Sequence, residues 1–215
     1  MEIAYPQFMK IRTLSLTLSL LALPTLAVAQ TVVSGTGANA AALAPFRDQF
    51  RTNLGGGTVA GANGSFGGLR REINWDGVPN AFSAPNSLPA NFFNANSPRG
   101  AVFSTAGSGF QVSDNAAGNG VGVRFDNLNA TYSSTFQTFS AQKLFTAIGS
   151  NTYDVNFFVP GTATPAQVMG FGAIFTDVDT LGGTTIEYFN QSNTSLGVFN
   201  VSARSEERRV GKECA

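Results

Sequence analysis

Between residues 38 and 54, apolar side chains recur every three to four positions, at Leu43, Phe46, Phe50 and Leu54, while Arg47, Asp48 and Arg51 fall on other faces. That period predicts an amphipathic helix over residues 38–54. Gly55, Gly56 and Gly57 end it, because consecutive glycines give the backbone no helical preference. Residues 58–68, rich in Gly, Ala and Asn, read as a mobile loop. Beyond them the period shortens towards two, the spacing of a half-buried strand. Residues 72–77 read as a short strand entering an Asp76-Gly77 turn, and 80–98 hold too many prolines for a helix. Strands are predicted at 100–104, 109–112, 121–125, 143–148 and 153–159. Residues 168–178 put Met169, Phe171, Ala173 and Phe175 on one face and Gly170 and Gly172 on the other, where a second backbone could approach. Residues 185–189 and 195–201 flank Asn190-Gln191-Ser192-Asn193, a four-residue turn that predicts a hairpin. This succession of short strands and turns predicts an antiparallel β-sandwich of jelly-roll type over residues 69–203, preceded by the helix and Gly-rich loop of residues 30–68.

The two ends have a different character. From Met9, Lys10 and Arg12 supply a positive start, residues 14–23 an apolar run and Pro24 a break, and Ala27-Val28-Ala29 offers small residues to signal peptidase. Residues 1–29 therefore read as an export signal whose true start is Met9, leaving Gln30 first in a secreted or cell-surface protein. The apolar run is too short to span a hydrocarbon core of about 30 Å, so no transmembrane segment is expected in the mature chain. At the other end, residues 204–214 carry seven charges in eleven positions, against sixteen in the 174 positions of residues 30–203.

Composition narrows the chemistry. Residues 30–203 hold seven cations and nine anions, a net charge of −2, which argues against nucleic acid or acidic lipid as partner. The chain has no histidine, which excludes Ser-His-Asp and Cys-His nucleophiles and histidine-bearing zinc sites. Carboxylate chemistry remains, but no spacing singles out the paired acids that a glycoside hydrolase needs.

Asp177 and Asp179 are candidate ligands for a structural calcium ion, with Asp76 and Asp126 as further oxygen donors. The Asp-x-Asp-x-Asp-Gly spacing of a calcium loop is missing, and an acidic strand end in water is the plainer reading. Asn74, Trp75 and Asp76 place an aromatic ring beside an amide and a carboxylate, a combination that stacks a sugar and bonds its hydroxyls. Against that, a lone Trp more often fills a core, and Asp76-Gly77 makes a turn unaided. Arg99 offers a cation to a ligand or carboxylate, against the plainer role of a solvated loop charge. Phe92, Phe93, Phe157, Phe158, Phe171 and Phe175 suit a core better than a ligand surface.

The strings REINWDGVP (71–79), NSPRGAVFST (96–105), GFGAIFTDVD (170–179) and TTIEYFNQSNTSLGVF (184–199) resemble uncharacterised secreted bacterial proteins, some of which end in a PEP-CTERM-type sorting segment. The second half is similar, more faintly, to galactose-binding-like jelly-roll modules. RSEERRVGKEC (204–214) resembles a translated sequencing adapter. That resemblance implies that residues 204–215 are foreign, that the native chain is cut short near Ala203, and that Cys214, the one cysteine, carries no argument. Together these features lead to the expectation of a non-catalytic extracellular module that binds polysaccharide or matrix. A surface structural protein without a small ligand and a carboxylate-based glycan-cleaving enzyme are the alternatives.

Overall fold

Two stretches of alternating apolar residues, one near position 107 and one near 150, build the centre of the molecule. The structure, a computed structural model, describes residues 31–68 and 70–204. The export-signal reading and the charged tail beyond Arg204 lie outside the described residues. In chain order the elements are helix α1 (Ala40–Asn53), strands β1 (Ser65–Phe66) and β2 (Arg70–Arg71), and the short helix α2 (Phe92–Ala95). Strands β3 (Ala101–Ser104) and β4 (Gly109–Val112) follow, then the short helix α3 (Tyr132–Thr135). Last come β5 (Phe145–Ile148), β6 (Asp154–Phe157), β7 (Thr185–Phe189) and β8 (Ser195–Asn200). Strand and loop dominate. The strands pair antiparallel as β1–β2, β3–β6, β4–β5 and β7–β8, each a two-stranded sheet, and none closes into a barrel.

Two of these ladders are stretches of one ribbon. Ser104 pairs with Asp154 and Gly109 with Ile148, so the outgoing strand advances five residues between them and the returning strand six. The extra residue marks a bulge-like irregularity that bends the ribbon without ending it. Across the bend, Ser108 N donates to Ile148 O at 2.8 Å and Thr105 Oγ1 to Thr152 O at 2.9 Å. Gly107 lies so close to the Ile148 carbonyl that no Cβ fits there. Residues 84–90 run along the free edge of the outgoing strand, with Ala84 N bonded to Val112 O at 2.8 Å and Leu88 N to Phe110 O at 2.9 Å.

The alternation buries one face of this ribbon. Ala101, Phe103, Phe110 and Val112 join Val78, Leu88, Phe92 and Phe93 in the core, with Phe145, Ala147, Tyr153 and Val155 packed against them. Each large apolar side chain buried here contributes about 1.5–3 kcal/mol. Helix α1 starts where Asn39 Oδ1 accepts from Ala42 N at 3.0 Å, and none of its residues is buried. Its Phe50, and Leu54 just past its end, reach Gly172 and Gly170, where a Cβ would stand 3.0 and 3.1 Å away. The glycines thus admit side chains of α1, whereas the alternation of residues 168–178 suggested a second backbone.

Other sequence expectations are corrected. Residues 121–125 form no strand: Arg124 and Phe125 have φ of 48° and 67°, which turns the backbone out of the extended region, and Val123 makes only an isolated bridge with Asp114. Residues 168–178 have the alternation of a strand but no ladder, and Asp177, at φ 61°, breaks the extended run. Residues 72–77 end in a tight turn over Trp75–Gly77, because Asn74 Oδ1 accepts from Asp76 N at 3.1 Å. The 80–98 connection contains a tight turn at Asn80–Phe82 and the short helix α2, and the 58–68 loop contributes β1. The final hairpin has its turn tied by Asn190 Oδ1, which accepts from Ser192 N and Thr194 N, both at 2.9 Å. Among the described residues no helix is long and apolar enough to cross a membrane.

Candidate functional site

β2 leads directly into a half-buried network of arginines around one carboxylate. Arg70, buried at the start of this strand, donates through Nε to Glu72 Oε1 at 2.8 Å, and Arg51 of α1 grips the same carboxylate at 2.6 and 2.7 Å. Burial alone pushes the Glu72 carboxyl up. The bonds and charges of Arg51 and Arg70 together outweigh that and hold it below its ordinary 4.5. The Glu72 carbonyl accepts from Arg99 Nε at 3.1 Å, while Arg99 Nη1 donates to Ser97 Oγ at 3.0 Å. The Arg99 guanidinium packs against Gly64, whose φ of 61° and missing Cβ permit the approach.

These contacts frame a cleft of about 290 Å³ lined by Phe66, Glu72, Asn74, Phe93, Ser97 and Arg99, with Ala60, Gly64 and Gly77 completing its wall. Its size sits at the small end of the roughly 300–1,000 Å³ typical of ligand pockets. It offers a guanidinium, a primary amide, a hydroxyl and two phenyl rings. Two of the four residues proposed as ligand-binding from the sequence, Asn74 and Arg99, meet here.

The other two lie elsewhere. Trp75 stacks on Phe145 at 4.4 Å with the rings 3° from parallel, and meets Phe93 edge-on at 5.3 Å, so its ring belongs to the aromatic core. Asp76 Oδ1 accepts from Ser140 Oγ, Gln142 N and Lys143 N at 3.0, 3.2 and 2.9 Å, which pins the segment leading into β5.

Behind that segment is a buried polar cluster that sequence reading did not single out. Lys143, only 2% exposed, donates from Nζ to Val78 O at 2.7 Å and Ser83 Oγ at 2.8 Å. Burial pulls its pKa below the ordinary 10.5, against the opposing charges of Asp114 and Asp76. Asp114 is fully buried, with Oδ2 accepting from Gly120 N at 2.8 Å and Oδ1 without a partner. The sequence offers one retrospective signal: Asp114 and Lys143 each adjoin an apolar strand that buries one face. They hold loops together and do not line the cleft.

Asp177 and Asp179 share a second, more open cleft of about 280 Å³ with Val178, Thr180, Gly183 and Thr184. Both are exposed, and among the described residues no three His, Cys, Asp or Glu side chains gather to hold a metal. Calcium takes six to eight oxygens, so backbone carbonyls and water would have to supply most of its shell there. Asp126, the further donor, is half-buried. No family profile, curated protein or solved structure matches this chain.

Proposed function

We propose that this chain is an exported, non-catalytic β-sandwich module of jelly-roll type that binds an extracellular saccharide in the Arg99 cleft. The observation that carries the reading is that Asn74, Ser97 and Arg99 line one cleft together with Phe66 and Phe93. Amide, hydroxyl and guanidinium groups bond sugar hydroxyls, while the rings cover the apolar C–H faces. The cleft's lining includes one carboxylate, Glu72, and two arginines hold it. Hydrolysis by paired acids needs two carboxyls, one of them with a raised pKa, so a binding role suits this lining better than a catalytic one. The bent ribbon, with one face in the core, supports the sandwich reading, and the run from Lys10 to Ala29 supports export.

The test is isothermal titration of the mature protein, from Gln30 onward, with soluble neutral and acidic oligosaccharides. Binding that the double variant Asn74→Ala/Arg99→Ala loses, at unchanged melting temperature, is the expected result. No heat at millimolar ligand would reject the reading and favour a surface structural protein without a small ligand.

A further inference from the structure

The chemistry of Arg99 says more about the ligand. Its two bonds go to neutral acceptors, the Glu72 carbonyl and the Ser97 hydroxyl, and among the described residues no carboxylate lies within ion-pair distance of it. Arg47, Arg51 and Arg70 are in the opposite situation. Arg51 and Arg70 bond the Glu72 carboxylate, and Arg47 bonds Asp48 at 2.8 Å. Of the five N–H donors of Arg99, three remain, all on Nη1 and Nη2. The contact with Gly64 and the two bonds fix the plane of the fork before any ligand arrives. A half-buried cation left with neutral partners and a fixed orientation suits a planar anion, and two parallel N–H groups match the two oxygens of a carboxylate.

The distribution of charge points the same way. Residues 30–113 hold five cations and three anions, whereas residues 114–203 hold two cations and six anions. A chain segment with net charge −2 thus divides into a positive first half, which supplies every residue lining the cleft, and a negative second half. Four of the five cations, Arg47, Arg51, Arg70 and Arg99, belong to one linked network that reaches the cleft through Glu72 and Arg99.

We infer that the saccharide is acidic, with the carboxylate of a uronate residue seated on Nη1 and Nη2 of Arg99 and the neighbouring hydroxyls on Asn74 and Ser97. The inference rests on the saccharide-binding reading and narrows it. Glu72 does not repel the incoming carboxylate strongly, because two guanidinium groups already neutralise it. A neutral sugar of the same size would leave the Arg99 fork without an anion.

The experiment titrates the mature protein with an oligogalacturonate, its carboxyl-reduced counterpart of equal length, and a sulfated neutral oligosaccharide. The oligogalacturonate is expected to bind at least about tenfold tighter than the reduced sugar, and to weaken as salt rises. Arg99→Gln should remove that preference and Arg99→Lys should keep only part of it, since lysine offers a point charge and no fork. Unchanged melting temperatures of both variants would confirm an intact fold. Equal binding of the acidic and reduced sugars, or an Arg99→Gln variant that keeps the preference, overturns the inference while leaving saccharide binding in place. Tighter binding of the sulfated sugar than of the uronate overturns the carboxylate assignment. If none of the three binds, the saccharide reading itself fails.

Discussion

Lys143→Met tests whether the buried polar cluster holds the fold together. Methionine keeps most of the volume of the side chain, so the change removes polar contacts without opening a large cavity. Lost are the bonds from Nζ to Val78 O at 2.7 Å and to Ser83 Oγ at 2.8 Å. Ser83 keeps Pro79 O at 3.2 Å, whereas the Val78 carbonyl keeps at most the long 3.5 Å contact from Ser83. Hydrogen bonds to a charged group contribute about 1.5–3 kcal/mol each, and a buried group left unpaired costs about 1–3 kcal/mol. Relief from burying the ammonium offsets part of this, and about 2–4 kcal/mol of net destabilisation is expected. With a urea slope of about 2 kcal/mol per molar, the unfolding midpoint should fall by about 1–2 M.

The pH dependence supplies a second, independent check. Burial lowers the pKa of Lys143 in the folded state below the 10.5 of the free side chain. Between those two values the unfolded chain binds more protons, so this residue makes stability rise with pH in that window. Tyr153 and Tyr188, whose pKa values burial raises above 10.0, act in the opposite sense, since stability tied to their protonated form is lost at higher pH. Both proteins share those tyrosines, so the difference between them isolates the lysine. The gap between wild type and Lys143→Met should therefore widen as pH approaches 10.5. A gap under about 0.5 kcal/mol at neutral pH, or one that narrows with rising pH, would refute the reasoning.

Trp75→Ala should cost about 3–5 kcal/mol in chemical unfolding, because the ring stacks on Phe145 and abuts Phe93 in the core. A cost below about 1 kcal/mol would show the ring to be peripheral. Glu72→Gln should lower stability by about 1–3 kcal/mol at pH 7, as Arg51 and Arg70 lose their shared carboxylate. Because the Glu72 pKa is depressed, wild-type stability tied to it is present above 4.5 and lost as pH falls through the lower folded value. Urea titrations from pH 6 to pH 2 should show wild type and the Gln variant converging. Gly118→Ala should destabilise by about 1–3 kcal/mol in thermal melts, since its Cβ would collide with the buried Asp114 carboxylate. A neutral outcome would mean that this loop shifts freely.

What could be read from the sequence follows the range of the interaction. Strands 109–112 and 185–189 are found at the predicted bounds, because alternation of apolar and polar residues is local and each run has a partner. Residues 168–178 alternate just as well and form no strand. A strand needs a hydrogen-bonding edge beside it, and alternation carries no information about whether one is there. Residues 121–125 fail for a different reason: left-handed conformations at Arg124 and Phe125 are rare for such side chains, and composition gives no warning of them. Trp75 shows the same limit in the site: its neighbours in sequence left a sugar platform open beside the plainer core role, and its neighbours in space are Phe93 and Phe145.

Net charge misled in an instructive way. The value of −2 over residues 30–203 argues against a polyanion that coats a whole surface, yet a sum discards position. Counting by halves already shows the first half positive and the second negative, but it does not say that the cations converge. Convergence depends on α1 lying where Arg51 reaches Glu72, and on Arg99 bonding the carbonyl of that same residue from twenty-seven positions away. One glutamate thus uses its carboxylate to neutralise two arginines and its carbonyl to orient a third, whose charge no carboxylate meets among the described residues. The proposed selectivity of the cleft would follow from that division of labour. Substituting Glu72 by Gln should therefore do more than weaken the fold: it frees Arg51 and Arg70 to compete for an acidic ligand. Binding of uronate should then become stronger at low salt while discrimination between uronate and sulfate falls, as competition titrations would show. An unchanged preference would mean that Arg99 alone determines it.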